Sequence, residues 1–469
     1  MTDSPDRRVP PPDPKGREPD AARRGRSGAL HTPRRLLLLE SERPRLRRLR
    51  IRMPRRGIFA YLAVVGPGLI AANAGNDAGG IATYANVGAV FRYSMLWALV
   101  ITAISLIVVQ EMCARMGAIT GKGLSDLIRE QFSLRATTLA MICLLIANTG
   151  ITLSEFLGIA ASGEIVGIPA WIAVPPIALL LWYVVTQRSS SMIERVFLTL
   201  SLAFLVYIPA AFHGTNWHNV LQDTVQPHIS LTGAYIGGVV ALVGTTISPY
   251  MQFYVQSAVA EKGISPRAYP YTRAEVISGS LFAIAVAGCI IIATGTALCT
   301  AHGCPAKNAL ISQPQAFAEA LRSVVGDWAK WLFAIGLFGA SMLAAAVLPL
   351  STAYAVCETF GLESGTEKSF MQAPVFNGIF TGMIAISTLV AIIPNLPIVP
   401  VLLNLQKLNA IVLPILLVFI LRLVNSEDLM GQYRNGRIYN FIAYATVVLL
   451  TVLSLLYLAG QIGIGPAAG

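Results

Sequence analysis

The sequence predicts an all-α polytopic membrane protein. It is read as an inverted repeat of five plus five membrane-spanning helices and one extra helix, with the first and sixth spans broken. Three observations lead there. Charged residues make up 13% of the chain and hydrophobic ones 55%, with a mean hydropathy of +0.63. Apolar runs long enough to cross a hydrocarbon core of about 30 Å recur from residue 58 onward. Two of these runs, five spans apart, carry Gly, Pro and polar residues at mid-membrane depth. A water-soluble domain usually carries about 25% charged residues. Half that share leaves too little polar surface to wet a chain of 469 residues, which excludes a soluble enzyme, a disordered protein and a disulfide scaffold.

The first element is a tail. Residues 1–56 contain 17 Lys and Arg against 7 Asp and Glu, so almost all of the formal charge of +11 sits there. The segment is rich in Pro and Arg and poor in large apolar residues, and is expected to be disordered. Its Arg run from Arg43 to Arg56 abuts the first apolar span. That placement fits an orientation signal and a lipid-headgroup anchor better than a nucleic-acid arm. No signal-peptide pattern is expected, because the basic stretch is too long. The membrane domain is taken as 57–469, with spans near 58–88, 93–117, 136–162, 168–186, 194–212, 230–258, 272–300, 327–356, 371–394, 397–423 and 438–463.

Orientation follows from the basic residues of the connecting loops. With the N-terminus in the cytoplasm, 13 Lys and Arg fall on the inner side and 4 on the outer side, while Lys407 lies within a span. The positive-inside rule then places the C-terminus outside. A multi-pass protein of the plasma membrane is expected, with the bilayer as a partner and no nucleic acid, and a monomer. Cys113, Cys143, Cys289 and Cys357 read as small hydrophobes. Cys299 and Cys304 flank a short polar loop, where a disulfide is plausible on the extracytoplasmic side and a metal clip with His302 is the alternative.

The broken spans mark the site. The first runs Gly66-Pro67-Gly68 through Asn73, Gly75, Asn76, Asp77, Gly79 and Gly80 before apolar sequence resumes. The sixth reads Gly244-Thr245-Thr246-Ile247-Ser248-Pro249-Tyr250. Because five is odd, the second half starts on the opposite face. Paired Gly/Pro-interrupted spans at corresponding positions of two halves point to the central site of a LeuT-like transporter. Unwound backbone there must face protein or an aqueous cavity.

Asp77 is the residue that needs explaining, since a mid-membrane carboxylate is costly without a partner or an ion. No Lys or Arg lies in its span or in the sixth. It reads as a cation ligand, the alternative being a carboxyl neutralised by protonation or local hydrogen bonds. Neutral oxygen donors surround it in sequence: Asn73, Asn76, Thr245, Ser248, and carbonyls freed near Gly79, Gly80 and Thr245. The breaks contain no Cys, His or Met. Hard oxygen ligands favour Mg²⁺, Mn²⁺ or Ca²⁺, and a lone carboxylate leaves room for an ion that keeps waters.

From about residue 58 to 460 the chain resembles the Nramp divalent-metal transporters (solute carrier family eleven). The matching pieces are Gly66-Pro67-Gly68, the Asp77-Ala78-Gly79-Gly80 break, Thr120-Gly121-Lys122-Gly123-Leu124 before Arg129-Glu130, the sixth-span break, and the tenth span around Gln406 and Pro414. The departures matter as much. Where that family carries Asp-Pro-Gly-Asn, this chain keeps Asp77 and has Ala78 and Gly80. Where it carries Met-Pro-His, the chain has Ser248, Pro249 and Tyr250. A thioether selects transition metals, so its loss relaxes discrimination against Mg²⁺. The family's third-span Asp is Thr152 here, three residues before Glu155; the ninth span has no Arg, and Val255 stands at the second sixth-span His. The pattern resembles the Nramp-related magnesium transporter branch, in which metal entry is thought to run without protons.

The resemblance implies metal ligation by Asp77, Asn73, Asn76, Gly80, Thr245, Ser248 and Gln406. Pro249, Tyr250, Glu155 and Asn409 are expected to gate the site or support its ligands. Mg²⁺ or Mn²⁺ is substrate, and no cofactor is expected. The alternative is a proton-coupled Mn²⁺/Fe²⁺ importer of the ordinary kind. An amino-acid or Na⁺-coupled carrier conflicts electrostatically with a carboxylate at Asp77. An intramembrane enzyme lacks any matching motif, and no P-loop supports ATP-driven transport. Gln110-Glu111 beside Arg115 reads as a structural pair, and His213, His218 and His228 as solvated loop residues.

Overall fold

A computed structural model describes residues 77–187 and 202–463, apart from His228, Ser265, Arg267, 300–313 and 366–367. The basic tail, Gly66-Pro67-Gly68, Asn73, Asn76, Cys304 and the first part of the fifth span lie outside the described residues.

The visible part of the first span is α1 (Ala78–Phe91). It starts where Asp77 adopts extended backbone (φ −70°, ψ 174°) and caps the helix by accepting from Gly80 N. Next come α2 (Leu96–Thr120), α3 (Leu124–Gln131), α4 (Leu134–Val166) and α5 (Ala170–Gln187). Helix α2 stops at Gly121, whose φ of +66° is cheap only without a Cβ. Ser133 caps α4, and Gly167 closes it. The end of the fifth span appears as a 3₁₀ turn (Leu202–Val206) and a short helix (Tyr207–Phe212). A connecting helix, α6 (Trp217–Val225), follows.

The sixth span is two helices, α7 (Gly233–Thr246) and α8 (Pro249–Glu261), separated by Ile247 and by Ser248, the latter in extended backbone. Pro249 explains much of the break. Its fixed φ and missing N–H suit the first position of a helix, and the same missing N–H leaves an earlier carbonyl unpaired. The remaining spans are α9 (Tyr269–Leu298), α10 (Ala329–Phe360), α11 (Pro374–Ala391), α12 (Ile398–Val424) and α13 (Arg437–Gln461). Among the described residues eight helical segments are long and apolar enough to cross a membrane, the α7–α8 pair counting as one. Their bounds fall within a few residues of the spans expected from the sequence.

The broken helices sit inside the bundle. Helix α1 packs on α4, α7, α9 and α12, and α8 packs on α2 and α4. Every residue of α1 from Ala78 to Val90 is buried. By contrast α13 buries only Ala443, Thr446, Leu450 and Ser454, and leaves Phe441, Val448 and Leu455 exposed. Exposed apolar side chains on helices of this length are the lipid-facing surface of a bilayer protein. Away from the breaks, Glu111 forms the expected ion pair with Arg115 (3.5 Å) and also accepts from Tyr269. Arg115 donates on to Asn435, so this pair ties α2 to α9 and to the loop before α13. The free cysteines Cys113, Cys143 and Cys357 are buried and Cys289 is half-buried, while Cys299 is disulfide-bonded.

Candidate cation-binding site at the helix breaks

Asp77 is fully enclosed. Its Oδ1 accepts from Gly80 N at 2.6 Å, while Oδ2 is buried and has no hydrogen-bond partner. The carboxylate caps the N-terminus of α1, where the helix dipole favours negative charge. Gly80 therefore takes a different part from the one expected. Helix resumes at Ala78, so Gly80 contributes its N–H to Asp77 and its carbonyl lies within the first turn; the Gly79 carbonyl accepts from Thr83 Oγ1. The freed carbonyls expected at Gly79 and Gly80 are not free.

On the facing side, the C-terminal end of α7 presents the partial negative charge of a helix terminus, although the carbonyl expected to be free at Thr245 accepts from Ser248. Ser248 Oγ is completely buried and donates to Thr245 O (3.1 Å) and Gly244 O (3.3 Å). Its one proton is thus used on the helix end, which leaves the hydroxyl lone pairs for a cation. Thr245 Oγ1 is buried without a partner. Tyr84 and Thr246 share a hydrogen bond (3.0 Å) that fastens α1 to α7 beside the break.

Gln406 on α12 closes the cluster. A Cβ on Gly79 would lie 1.9 Å from Gln406 Nε2, and one on Gly244 2.0 Å from Gln406 O. At Gly244 the contact is with the α12 backbone and requires glycine, whereas at Gly79 it is with the tip of the Gln406 side chain. Gln406 Oε1 accepts from Asn409 Nδ2 (3.0 Å), leaving Gln406 Nε2 and Asn409 Oδ1 without partners. Rotating both amides by half a turn keeps this hydrogen bond with the roles exchanged. It also points Gln406 Oε1 into the break, so Asn409 can hold Gln406 in either state.

Glu155 on α4 is buried completely, and its Oε2 accepts from Ala78 N at 3.3 Å. Asp77 was expected to carry the only negative charge at the centre. The fold instead brings a second carboxyl to the first residue of α1, near enough to feel the Asp77 charge. Its Oε1 has no hydrogen-bond partner. Pro249 and Tyr250 open α8 directly after Ser248 and are buried. Lys407 turns away from the cluster: its Nζ donates to Asn404 Oδ1 (3.0 Å) and lies over the Tyr457 ring.

Three residues escaped the sequence reading. Ser341 Oγ on α10 is buried without a partner and stands where a Cβ on Gly158 would be 2.3 Å away. Asn148 on α4 and Gln252 on α8 each carry an unpartnered buried amide oxygen. Single polar residues in apolar helices give no periodic signal, so only their placement reveals them. Each unmet buried polar group costs about 1–3 kcal/mol, more when charged. The oxygens of Asp77, Thr245 and Ser248 and the amide of Gln406 are hard donors of the kind a small divalent cation takes. Of the expected ligands, Asp77, Thr245, Ser248 and Gln406 lie at or against the two breaks.

A sixth span split at Ile247 and Ser248, and a helix that starts at the buried Asp77, within a bundle of apolar spans, fit a transporter of the LeuT-type inverted-repeat class. The family model described as "Natural resistance-associated macrophage protein-like" matches residues 68–460, and the chain belongs to the Nramp family. It is therefore a multi-pass membrane transporter and not an enzyme, and no cofactor is implied. A divalent metal cation transporter of Aeromonas hydrophila is 24% identical over 86% of this chain and 96% of its own length. A metal transporter of Arabidopsis thaliana is 27% identical over 60% of this chain, and the match spans 55% of that protein. Among solved structures, a manganese transporter of Eremococcus coleocola superposes with a TM-score of 0.68 at 21% identity, covering 88% of this chain and 91% of the other. The fold of MhsT, solved with L-phenylalanine, matches at TM-score 0.51 and 13% identity, covering 81% and 97%.

Proposed function

We propose that this chain imports Mg²⁺, with Mn²⁺ as a second substrate, across the plasma membrane by alternating access and without moving protons. The observation that supports this reading is the donor set itself. Ser248 stands at the α7–α8 break in place of a thioether, and its hydroxyl is turned so that oxygen lone pairs remain for a hard ion. Asp77, Thr245 and Gln406 complete the set, with Asn73 and Asn76 as further proposed ligands. Glu155, Tyr250, Pro249 and Asn409 are proposed to shape the gate and hold the ligands. The N-terminus is assigned to the cytoplasm and the C-terminus to the outside, and the working unit is one chain. An inside-negative potential contributes about 2.3 kcal/mol per charge per 100 mV, twice that for a divalent ion, which suffices to drive uptake.

The test is flux into proteoliposomes carrying a pH-sensitive dye, with Mg²⁺ and Mn²⁺ at equal concentration. Uptake of both metals with no matching acidification is expected. Acidification that follows the metal would support the second reading, a proton-coupled Mn²⁺/Fe²⁺ importer. Replacing Ser248 by Met is expected to shift preference toward Mn²⁺ and Cd²⁺ by about tenfold or more relative to Mg²⁺. An unchanged metal profile would remove Ser248 from the ligand set.

A further inference from the structure

A cavity of about 570 Å³ lies between α4, α8 and α10, outside the donor set already described. One end is at Tyr250, directly beyond the break, and the other is at Glu261, the last residue of α8, and Glu358, near the end of α10. Glu261 lies eleven residues beyond Tyr250 along α8, a rise of about 17 Å. Asn148 lines the wall between them. It is 2% exposed, donates through Nδ2 to Thr352 Oγ1 (2.7 Å), and has its Oδ1 unpartnered. At the end away from Tyr250, Glu358 is near enough to the carboxylates of Asp126 and Glu261 to feel both charges. Neither Glu261 nor Glu358 has an ion-pair partner among the described residues.

These groups do not form a site for a bare metal. Among the described residues no three His, Cys, Asp or Glu side chains converge to hold an ion directly. The cavity's size suits an ion that keeps its water. Six waters occupy about 180 Å³ at their share of liquid volume, which the cavity accommodates with room to spare. Coordinated waters are strong donors, and the cavity offers acceptors only one water away: an amide oxygen on the wall and carboxylates at the mouth.

We propose that this cavity is a second station for the transported metal, where a rehydrated divalent cation rests in outer-sphere contact with Asn148 Oδ1 and the carboxylates of Glu261 and Glu358. The station deepens the transport function proposed above and depends on it. It gives an ion leaving Asp77 a charged acceptor in a compartment with room for its hydration shell. It also concentrates divalent cations at the face assigned to the cytoplasm, so its signature is one-sided.

The full-length chain in vesicles of defined sidedness supplies the test, with Mg²⁺ flux started from either face. Glu261→Gln combined with Glu358→Gln is expected to raise half-saturation from the Glu261/Glu358 face about fivefold and to leave half-saturation from the opposite face unchanged. Asn148→Asp replaces the amide that donates to Thr352 Oγ1 with a carboxylate to which Thr352 can donate in turn, and adds a charge to the cavity wall, so it should lower half-saturation from the same face. An effect equal from both faces, or none in either variant with Asp77-dependent import intact, overturns the station and leaves the transport function standing. If the unaltered chain carries Mn²⁺ but no Mg²⁺, the Mg²⁺ reading falls. The same sided comparison with Mn²⁺ then decides the station.

Discussion

Replacing Asp77 with asparagine is expected to cut divalent-metal uptake by at least about a hundredfold while the protein still folds and inserts. Asparagine keeps an oxygen that can accept from Gly80 N, so the cap of α1 survives; only the charge is lost. The other donors of the set, Thr245, Ser248 and Gln406, are neutral. A divalent cation stripped of part of its water shell in a buried site needs full negative charge to offset desolvation. Asp77→Ala would lose the charge and the cap together, adding about 1 kcal/mol of instability. Metal uptake by Asp77→Asn, together with calorimetric titration of the purified protein, checks the assignment. Uptake within twofold of the unaltered chain would mean that another group carries the charge, with Glu155 the first to examine. The matching change, Glu155→Gln, retains an acceptor for Ala78 N and is expected to lower uptake far less.

Gly244→Ala is expected to be the most damaging change that adds a single carbon. The new Cβ would lie 2.0 Å from Gln406 O and 2.8 Å from Ala410 N, both backbone atoms that no side-chain rotation can clear. Helices α7 and α12 must separate, and the contact holding Gln406 against both breaks is lost with them. Overpacking of this kind costs about 1–3 kcal/mol, and it falls on the site itself. Uptake should drop about tenfold or more, and the detergent-solubilised protein should melt several degrees lower. Gly382→Ala on α11 is the control. A Cβ there meets nothing within 4 Å, and alanine is the better helix former. If Gly244→Ala behaves like Gly382→Ala, the close approach of α12 is not required for transport.

Much of this architecture is written locally. The two breaks are legible because Gly, Pro and polar residues at mid-span have no other inexpensive use in a bilayer, and Asp77 stands out because no cation lies in its span or the sixth. The apolar spans are legible by length alone. Gly80 shows where local reading stops. Glycine beside a break suggests an exposed carbonyl, whereas the helix begins one residue after Asp77 and takes that carbonyl into its first turn. Lys407, adjacent to Gln406 in sequence, is carried by the helical turn to another face and spends its charge on Asn404 and Tyr457.

Sequence by itself determined that the chain is a bundle of membrane spans, that two of them break, and that one carboxylate lies at the first break. These features follow from hydropathy, backbone chemistry and the cost of charge in lipid, each acting over a few residues. Tertiary structure alone decided that Glu155 caps the same helix, that Gln406 reaches both breaks past two glycines, and that Asn148 faces a cavity ending in Glu261 and Glu358. Residues 77, 155, 245 and 406 come from four helices. Their meeting depends on how those helices pack, which no local pattern encodes.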